Sequence, residues 1–153
     1  MFNKKADKII TVSETVKKEI ISWFKIPYHK VFVIPLGISD IFRKTINSKV
    51  TSKYSISDKY ILFVGNIEPK KNLVRLIKAY HKLICEEKIL HQLVIIGKKG
   101  WKYKEVFRAV EKLKLQDKVI FTGYVPENDL PVLYSIADLF FSPLYIKDLE
   151  FLH

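Results

Sequence analysis

Two adjacent lysines and a glycine mark the place where this sequence could bind an anion. In YILFVGNIEPKKNLVRLI, residues 60–77, Gly65 follows an apolar block, and Lys70 and Lys71 come just before a helix-like pattern starting at Leu73. The amino end of a helix carries partial positive charge and unbonded backbone N–H groups, so ammonium groups there are unfavourable unless an anion compensates them. The spacing therefore favours a bound diphosphate; the alternative is that both side chains extend into solvent.

Three of the five glycines follow predicted strands directly, and these are Gly65, Gly97 and Gly123. In open α/β sheets, ligands bind in the crevice outside the carboxyl ends of the strands. Glycine lets the backbone bend sharply there and lets a ligand approach closely. We therefore predict a ligand site at this edge, with ordinary turn chemistry as the alternative. The chain has no G-x-G-x-x-G and no G-x-x-x-x-G-K-[ST] motif, so neither a dinucleotide fingerprint nor a P-loop is supported.

The elements that must position these residues are predicted from hydrophobic periodicity. Unbroken apolar strands that alternate with amphipathic helices predict a parallel sheet covered on both faces. The fold class is therefore α/β, a Rossmann-like parallel sheet with helices on both faces, and Asn72 is the predicted N-cap of its first helix. The predicted strands are residues 60–64, 92–96, 119–122 and 139–142, and the predicted helices are residues 73–86, 102–113 and 128–135.

A similar pattern precedes this sheet. Residues 8–12 and 31–34 are β-branched and apolar, as strands are, and the helix between them is predicted to be capped by Ser13 and stopped by Pro27. From Ser39 to Lys59 the chain is polar and irregular, which predicts a linker.

Composition limits the partners. The 153 residues suffice for a domain with a real core, and the formal net charge of +11 favours nucleic acid, acidic lipid or a phosphorylated small molecule. Cys85 is the single cysteine, which indicates a reducing, cytoplasmic setting without disulfides, and no apolar run is long enough for a membrane span. Nucleic-acid binding is not favoured, because it needs exposed stacking rings and the aromatics fall on predicted buried positions. Those aromatics include Phe63, Tyr80, Phe121 and Phe140.

Five segments together resemble one family. In chain order they are ADKIITVSETVKKEI, KVFVIPLGISDIF, YILFVGNIEPKKNLVRLIKAY, LVIIGKKGW and KVIFTGYVPENDLPVLYSIADLFFSP. They cover nearly the whole chain and resemble the group 1 (family 4) glycosyltransferases of GT-B architecture. The resemblance implies two Rossmann-like domains facing a cleft, of which the second binds a nucleotide-diphosphate sugar. It also implies sugar transfer with retention of configuration, and no metal or other cofactor, because basic side chains neutralise the diphosphate.

The resemblance implies roles for particular residues near the diphosphate. Gly65 matches the glycine of the loop beneath the phosphates, and Lys71 matches the phosphate-binding lysine. Asn66 stands where many members have a phosphate-binding arginine, and Lys70 is a second candidate cation.

Further implied nucleotide contacts lie after the next two strands. Gly97 and Lys98 fall in a loop near the nucleotide, and Leu130 lies near the ribose. The segment Gly123, Tyr124 and Val125 matches one whose backbone contacts the base. For Tyr124, plain packing is an equal alternative.

The family's signature pair of glutamates is not matched. Ile146 stands at the first position and the second would be position 154, beyond His153, so we assign no catalytic residue and expect no transfer activity from this chain alone. The four histidines match no motif of the family.

The resemblance also divides the chain. Residues 1–45 match the end of the acceptor-side domain and a crossover, 46–59 a linker, and 60–145 part of the donor-binding domain, while 146–153 form an atypical tail. The form GNIEPKKN resembles members that use GDP-mannose in surface-polysaccharide synthesis. The implied acceptor is a glycan or a lipid-linked acceptor.

Two further interpretations stay open. One is a non-catalytic Rossmann-like binding or interaction module that has kept the fold and lost the chemistry. The other is peripheral contact with the inner face of a membrane through residues 14–24, which include Lys17, Lys18 and Trp23; packing within the acceptor-side domain is the simpler role for that helix.

Overall fold

The computed structural model describes residues 6–143. The chain divides into two compact units, Met1–Asp40 and Ile41–His153, which are taken in turn.

The first unit contains two parallel strands, β1 (Ile9–Thr11) and β2 (Val31–Val33), joined through helix α1 (Glu14–Phe24). As predicted, Ser13 caps α1, because its hydroxyl oxygen accepts a hydrogen bond of 3.2 Å from the backbone N–H of Val16. No helix within residues 6–143 is both long and apolar enough to cross a membrane.

The side chains of α1 only partly fit the predicted membrane contact. Trp23 is 54% exposed, as such a contact requires. Lys17, in contrast, is buried, and its Nζ lies 3.6 Å from the ring centroid of Tyr28. For Lys17 the simpler role, packing within this unit, therefore fits, because a cation–π contact with Tyr28 holds its ammonium group.

The second unit is built on the predicted parallel sheet. Within the described residues the strand order is β5-β4-β3-β6, and all neighbours are parallel. The order reverses at β3, because β4 and β5 continue on one side of it and β6 returns on the other. The strands are β3 (Tyr60–Val64), β4 (Gln92–Ile96), β5 (Val119–Gly123) and β6 (Leu139–Phe140), and the helices are α2 (Ser48–Lys53), α3 (Leu73–Glu86), α4 (Lys104–Lys112) and α5 (Leu130–Ile136).

Helices cover both faces of this sheet, as predicted. Alternate strand residues point to opposite faces, so Ile61 and Phe63 join a core with α3 and α4, whereas Tyr60 and Leu62 join a second core with α2 and α5. Both Leu62 and Phe63 are fully buried.

Two predictions about this unit are wrong. Residues 48–53 of the predicted irregular segment form α2, which Asn47 caps through a side-chain hydrogen bond to Lys49 N–H, and whose Val50 is buried in the second core. Phe140 was predicted to be buried but is 47% exposed. It lies on β6, the two-residue strand at the edge of the described sheet, where few side chains are near enough to cover it.

Candidate functional site

The three predicted glycines meet at the carboxyl edge of the sheet. The backbone N–H of Gly65 donates to the carbonyl of Ile96 over 2.8 Å, and the N–H of Gly97 donates to the carbonyl of Gly123 over 2.9 Å. The sheet hydrogen bonds thus place the ends of β3, β4 and β5 side by side, next to the point where the strand order reverses. Ligands bind at such a point in open α/β sheets.

Gly97 cannot carry a side chain in this arrangement. A β-carbon built on it would lie only 2.0 Å from the carbonyl oxygen of Gly65, and its φ is +150°. The residue type is therefore dictated by the close approach of two backbone segments. Ordinary turn chemistry, the alternative considered for this glycine, does not account for that contact.

Lys71 lies beside Gly65. A β-carbon placed on Gly65 would be 3.7 Å from Cε of Lys71, so the end of this side chain runs along the loop that follows β3. Lys71 is half-buried, whereas Lys70 and Asn66 are exposed. Of the two lysines, Lys71 is therefore the one held at the glycine loop.

The start of α3 differs in detail from the prediction. A 3-10 turn over Pro69–Lys71 leads into Asn72, whose carbonyl accepts hydrogen bonds from the N–H groups of Arg75 and Leu76. Asn72 holds the predicted cap position, but its side chain makes no capping hydrogen bond, because its φ is +51° where capping residues are normally extended. The amino end of α3 is therefore not closed by the side chain predicted to cap it.

A cavity of about 460 Å³ opens at the carboxyl ends of β4 and β5. It brings together three predicted site residues, Gly97, Lys98 and Gly123, with aromatic rings from α4 and β5. The rings of Phe107 and Phe121 stack with their centroids 4.3 Å apart. The full set of lining residues is Ile67, Gly97, Lys98, Lys99, Phe107, Phe121, Thr122 and Gly123.

The segment after β5 presents its three predicted residues differently. Tyr124 is 66% exposed and does not pack into the core, and Lys98 Nζ lies 5.1 Å from its ring centroid. Val125 is buried in the second core, so only its backbone could contact a ligand. Leu130 is partly buried against the same core.

An acidic residue anchors this segment. Asp129 accepts hydrogen bonds from Lys53 Nζ over 2.8 Å and from the hydroxyl of Tyr54 over 2.7 Å. These two donors, Lys53 first, lower the pKa of Asp129 below its ordinary value. Because Lys53 and Tyr54 lie at the end of α2, the helix missed in the sequence ties down the chain between Tyr124 and α5.

Sequence reasoning also missed Lys99 as a site residue. Its Nζ lies 5.1 Å from the ring centroid of Phe107, within the cavity wall. The adjacent Lys98 was the available signal, but which lysine faces α4 depends on an isolated parallel bridge between Ile67 and Lys99. The predicted position of the missing glutamate, Ile146, and the tail over 146–153 lie outside the described residues.

Comparison with known proteins identifies the class. The family of glycosyl transferases, group 1, matches residues 47–150, about two thirds of the chain, and the chain belongs to this family. The resemblance seen in the sequence is thereby confirmed.

Individual relatives are similar over most of this chain and over a smaller part of their own length. O-antigen chain mannosyltransferase B of Escherichia coli is 31% identical over 146 residues, which are 93% of this chain and 38% of that protein. A glycosyltransferase structure from Rickettsia africae ESF-5 superposes with a TM-score of 0.76 at 26% identity, covering 90% of this chain and 38% of that one. The Anabaena protein HepE, solved in complex with UDP-glucose, shares the fold with a TM-score of 0.73 at 20% identity, over 90% of this chain and 38% of its own.

Proposed function

We propose that this chain supplies the donor-binding part of a retaining GT-B glycosyltransferase. The donor is a nucleotide-diphosphate sugar, and the acceptor is a polysaccharide or a lipid-linked glycan. Family membership supports sugar transfer as the reaction class. The mannosyltransferase named above supports mannose as the sugar, and hence GDP-mannose as the donor that GNIEPKKN suggested.

The observation that carries the proposal is the position of Lys71 against Gly65. A diphosphate seated over the glycine loop would meet the Lys71 ammonium group and the amino end of α3 together. When the bond between sugar and diphosphate breaks, negative charge grows on the leaving diphosphate. A cation already fixed in place stabilises this charge without further reorganisation, and such electrostatic stabilisation is usually the largest single contribution to catalysis.

The chain alone is proposed to bind the donor without transferring the sugar. Ile146 stands at the first position of the glutamate pair that the family resemblance implies. Turnover of any nucleotide sugar by the purified chain would contradict this part of the proposal.

The test is a calorimetric titration of GDP and UDP into the full chain and into a Lys71→Ala variant. A hydrogen bond to a charged group contributes about 1.5–3 kcal/mol, so we expect the variant to bind at least one nucleotide about tenfold to a hundredfold more weakly. Lys78→Ala is the matched control, because Lys78 is exposed within α3 and distant in sequence from the glycine loop.

The outcomes separate two functions. Weaker binding by Lys71→Ala with an unchanged Lys78→Ala control supports the donor site. Equal and negligible binding by the wild type and by Lys71→Ala contradicts it and favours a non-catalytic interaction module instead.

A further inference from the structure

The residues that line the cavity at the ends of β4 and β5 differ in chemistry from the glycine loop beside Lys71. Its inner wall is the stacked pair Phe107 and Phe121. Its cations are Lys98 and Lys99, and among the described residues that line it none is acidic. The cavity therefore offers apolar ring surface and hydrogen-bond donors to a ligand, and a flat group with acceptor atoms on its edge fits this combination.

Next to Gly123, which lines the cavity, Tyr124 carries an exposed aromatic ring with a cation near it. Tyr124 is 66% exposed, and Lys98 Nζ lies 5.1 Å from its ring centroid. Gly123 has no side chain, and apart from its chain neighbours nothing lies within 4 Å of the place where its β-carbon would be, so there is open space just before this ring. Once the flexible Lys98 side chain moves from above the ring to its edge, the ring can stack a planar base, and the ammonium group can donate hydrogen bonds to the edge of that base.

We infer that Lys98 and Tyr124 recognise the base of the donor nucleotide through their side chains and that they select guanine. This inference rests on the proposed function, because it needs the diphosphate at Lys71 to bring a nucleotide to the edge. It adds two specificity-determining side chains to a segment whose expected contact was through the backbone.

The chemistry of the base edges decides in favour of guanine. Guanine presents two neighbouring acceptors, O6 and N7, and lysine pairs with them well. Adenine places an amino group beside its N7, which an ammonium group opposes. Uracil has carbonyl acceptors but a single small ring, so it covers less of Tyr124. The expected order of affinity is GDP, then UDP, then ADP.

A phosphate contact is the other role that Lys98 could have, and it makes a different prediction. A phosphate is common to all three nucleotides, so a lysine that binds it contributes equally to each affinity. A lysine that binds the base contributes differently to the affinity for each nucleotide, and so changes the ratio of these affinities. The ratio of the GDP and UDP dissociation constants is therefore the quantity to measure.

The test compares GDP, UDP and ADP binding by the full chain and by three variants. Lys98→Met keeps the length of the side chain and removes its charge, and should lower the GDP preference over UDP to the part that stacking on Tyr124 contributes. Tyr124→Ala removes the stacking ring and should weaken GDP binding about tenfold. Tyr124→Phe keeps the ring and should bind like the wild type.

Lys102→Met is the matched control. Lys102 Nζ lies 5.2 Å from the Trp101 ring, so it forms the same kind of exposed lysine–aromatic pair in the same connection between β4 and α4, but it does not line the cavity. We expect this variant to leave the GDP to UDP ratio unchanged.

The results distinguish the two levels of the proposal. In one outcome, the wild type binds GDP and UDP, and Lys71→Ala weakens the binding of both. If the Lys98 and Tyr124 variants then leave the GDP affinity and the GDP to UDP ratio unchanged, base selection is wrong and the donor site stands. Equal weakening of all nucleotides by Lys98→Met also overturns base selection, because it indicates a phosphate contact. If the wild type binds none of the three, the donor site itself fails.

Discussion

The two ends of the four-stranded sheet are built from different chemistry. At the carboxyl end, Gly65 and Gly97 let two backbone segments approach closely, and nothing lies within 4 Å of the place where a β-carbon of Gly123 would be. At the amino end, two buried phenol groups make hydrogen bonds to the backbone. The hydroxyl of Tyr60 donates to the carbonyl of Leu133 over 2.7 Å, and that of Tyr80 donates to the carbonyl of His91 over 2.6 Å.

The amino end is also cross-linked between strands. Tyr80 reaches a second carbonyl, that of Lys118, and so joins the starts of β4 and β5. Asp138 accepts a hydrogen bond from the N–H of Tyr60 over 3.2 Å and lies 3.4 Å from Nε2 of His91. The starts of β3, β4 and β6 thereby share polar contacts. Side chains therefore cross-link the strand starts, whereas backbone hydrogen bonds between glycine loops join the strand ends. We call the amino end the fixed end, and the carboxyl end, where the proposed ligand site lies, the open end.

The largest expected effect comes from adding one methyl group at the open end. Gly97→Ala would place a β-carbon 2.0 Å from the carbonyl oxygen of Gly65, at a φ of +150°. The clash forces two strand ends apart, and we expect a loss in the free energy of unfolding of about 3 kcal/mol or more. Urea denaturation measures it, and GDP binding should be lost with it.

Two other glycines serve as graded controls for this substitution. Gly123→Ala meets no atom within 4 Å but has a φ of +72°, so only the backbone strain of about 1 kcal/mol applies. Gly37→Ala meets no atom within 4 Å and has no such φ, and should be nearly neutral. Equal losses in the free energy of unfolding for Gly97→Ala and Gly123→Ala would contradict this prediction, because they would show that the close approach of Gly97 to the Gly65 carbonyl adds no cost.

The sequence predicted most of the fold because the relevant signals are local. The bounds of β3, α3 and β4 match the predictions residue by residue, since each is a long run with one clear periodicity and flanking glycine or polar residues. Helix α2 was missed because its six residues, SKVTSK, bury only Val50 and Thr51 and show no amphipathic stripe.

The candidate site was less predictable because it depends on packing between distant segments. The glycine and lysine positions could be found, since they follow strands directly. The stacking of Phe107 on Phe121, by contrast, joins a helix to a strand end, and the position of Lys99 depends on its pairing with Ile67. No spacing rule along the chain contains these contacts.

A smaller effect is expected at the fixed end. Tyr80→Phe removes a donor from the carbonyl groups of His91 and Lys118, of which that of Lys118 keeps the N–H of Leu93. We expect a loss of about 1–3 kcal/mol in the free energy of unfolding at neutral pH. Tyr124→Phe is the control, because a tyrosine that is 66% exposed loses its hydroxyl at almost no cost.

The buried Tyr80 also predicts that the free energy of unfolding depends on pH in the alkaline range. Burial raises the pKa of Tyr80 to about 12, whereas in the unfolded chain it is about 10. Above pH 10 the unfolded chain loses this proton first, so the stability that Tyr80 contributes is complete below pH 10 and is lost as pH rises through 12. Tyr80→Phe should therefore lose less stability than the wild type between pH 10 and 12. An equal loss of stability in both proteins over this pH range would contradict the raised pKa of Tyr80.

The smallest expected effect is a gain, and it tests the strain of a positive φ angle at the fixed end. At the fixed end, α4 closes with Lys114 at a φ of +53°, where its N–H donates to Glu111 and the N–H of Leu115 donates to Val110. This is the closing turn that glycine prefers, so the lysine there is strained without serving a ligand. Lys114→Gly should raise the free energy of unfolding by about 0.5–1 kcal/mol, because the relief of strain exceeds the added flexibility of the unfolded chain. Lys112→Gly, two residues earlier within α4, should lower it by about 1 kcal/mol. The thermal unfolding temperatures of the two variants should therefore shift in opposite directions, and a lower temperature for both would mean that the turn at Lys114 is not strained.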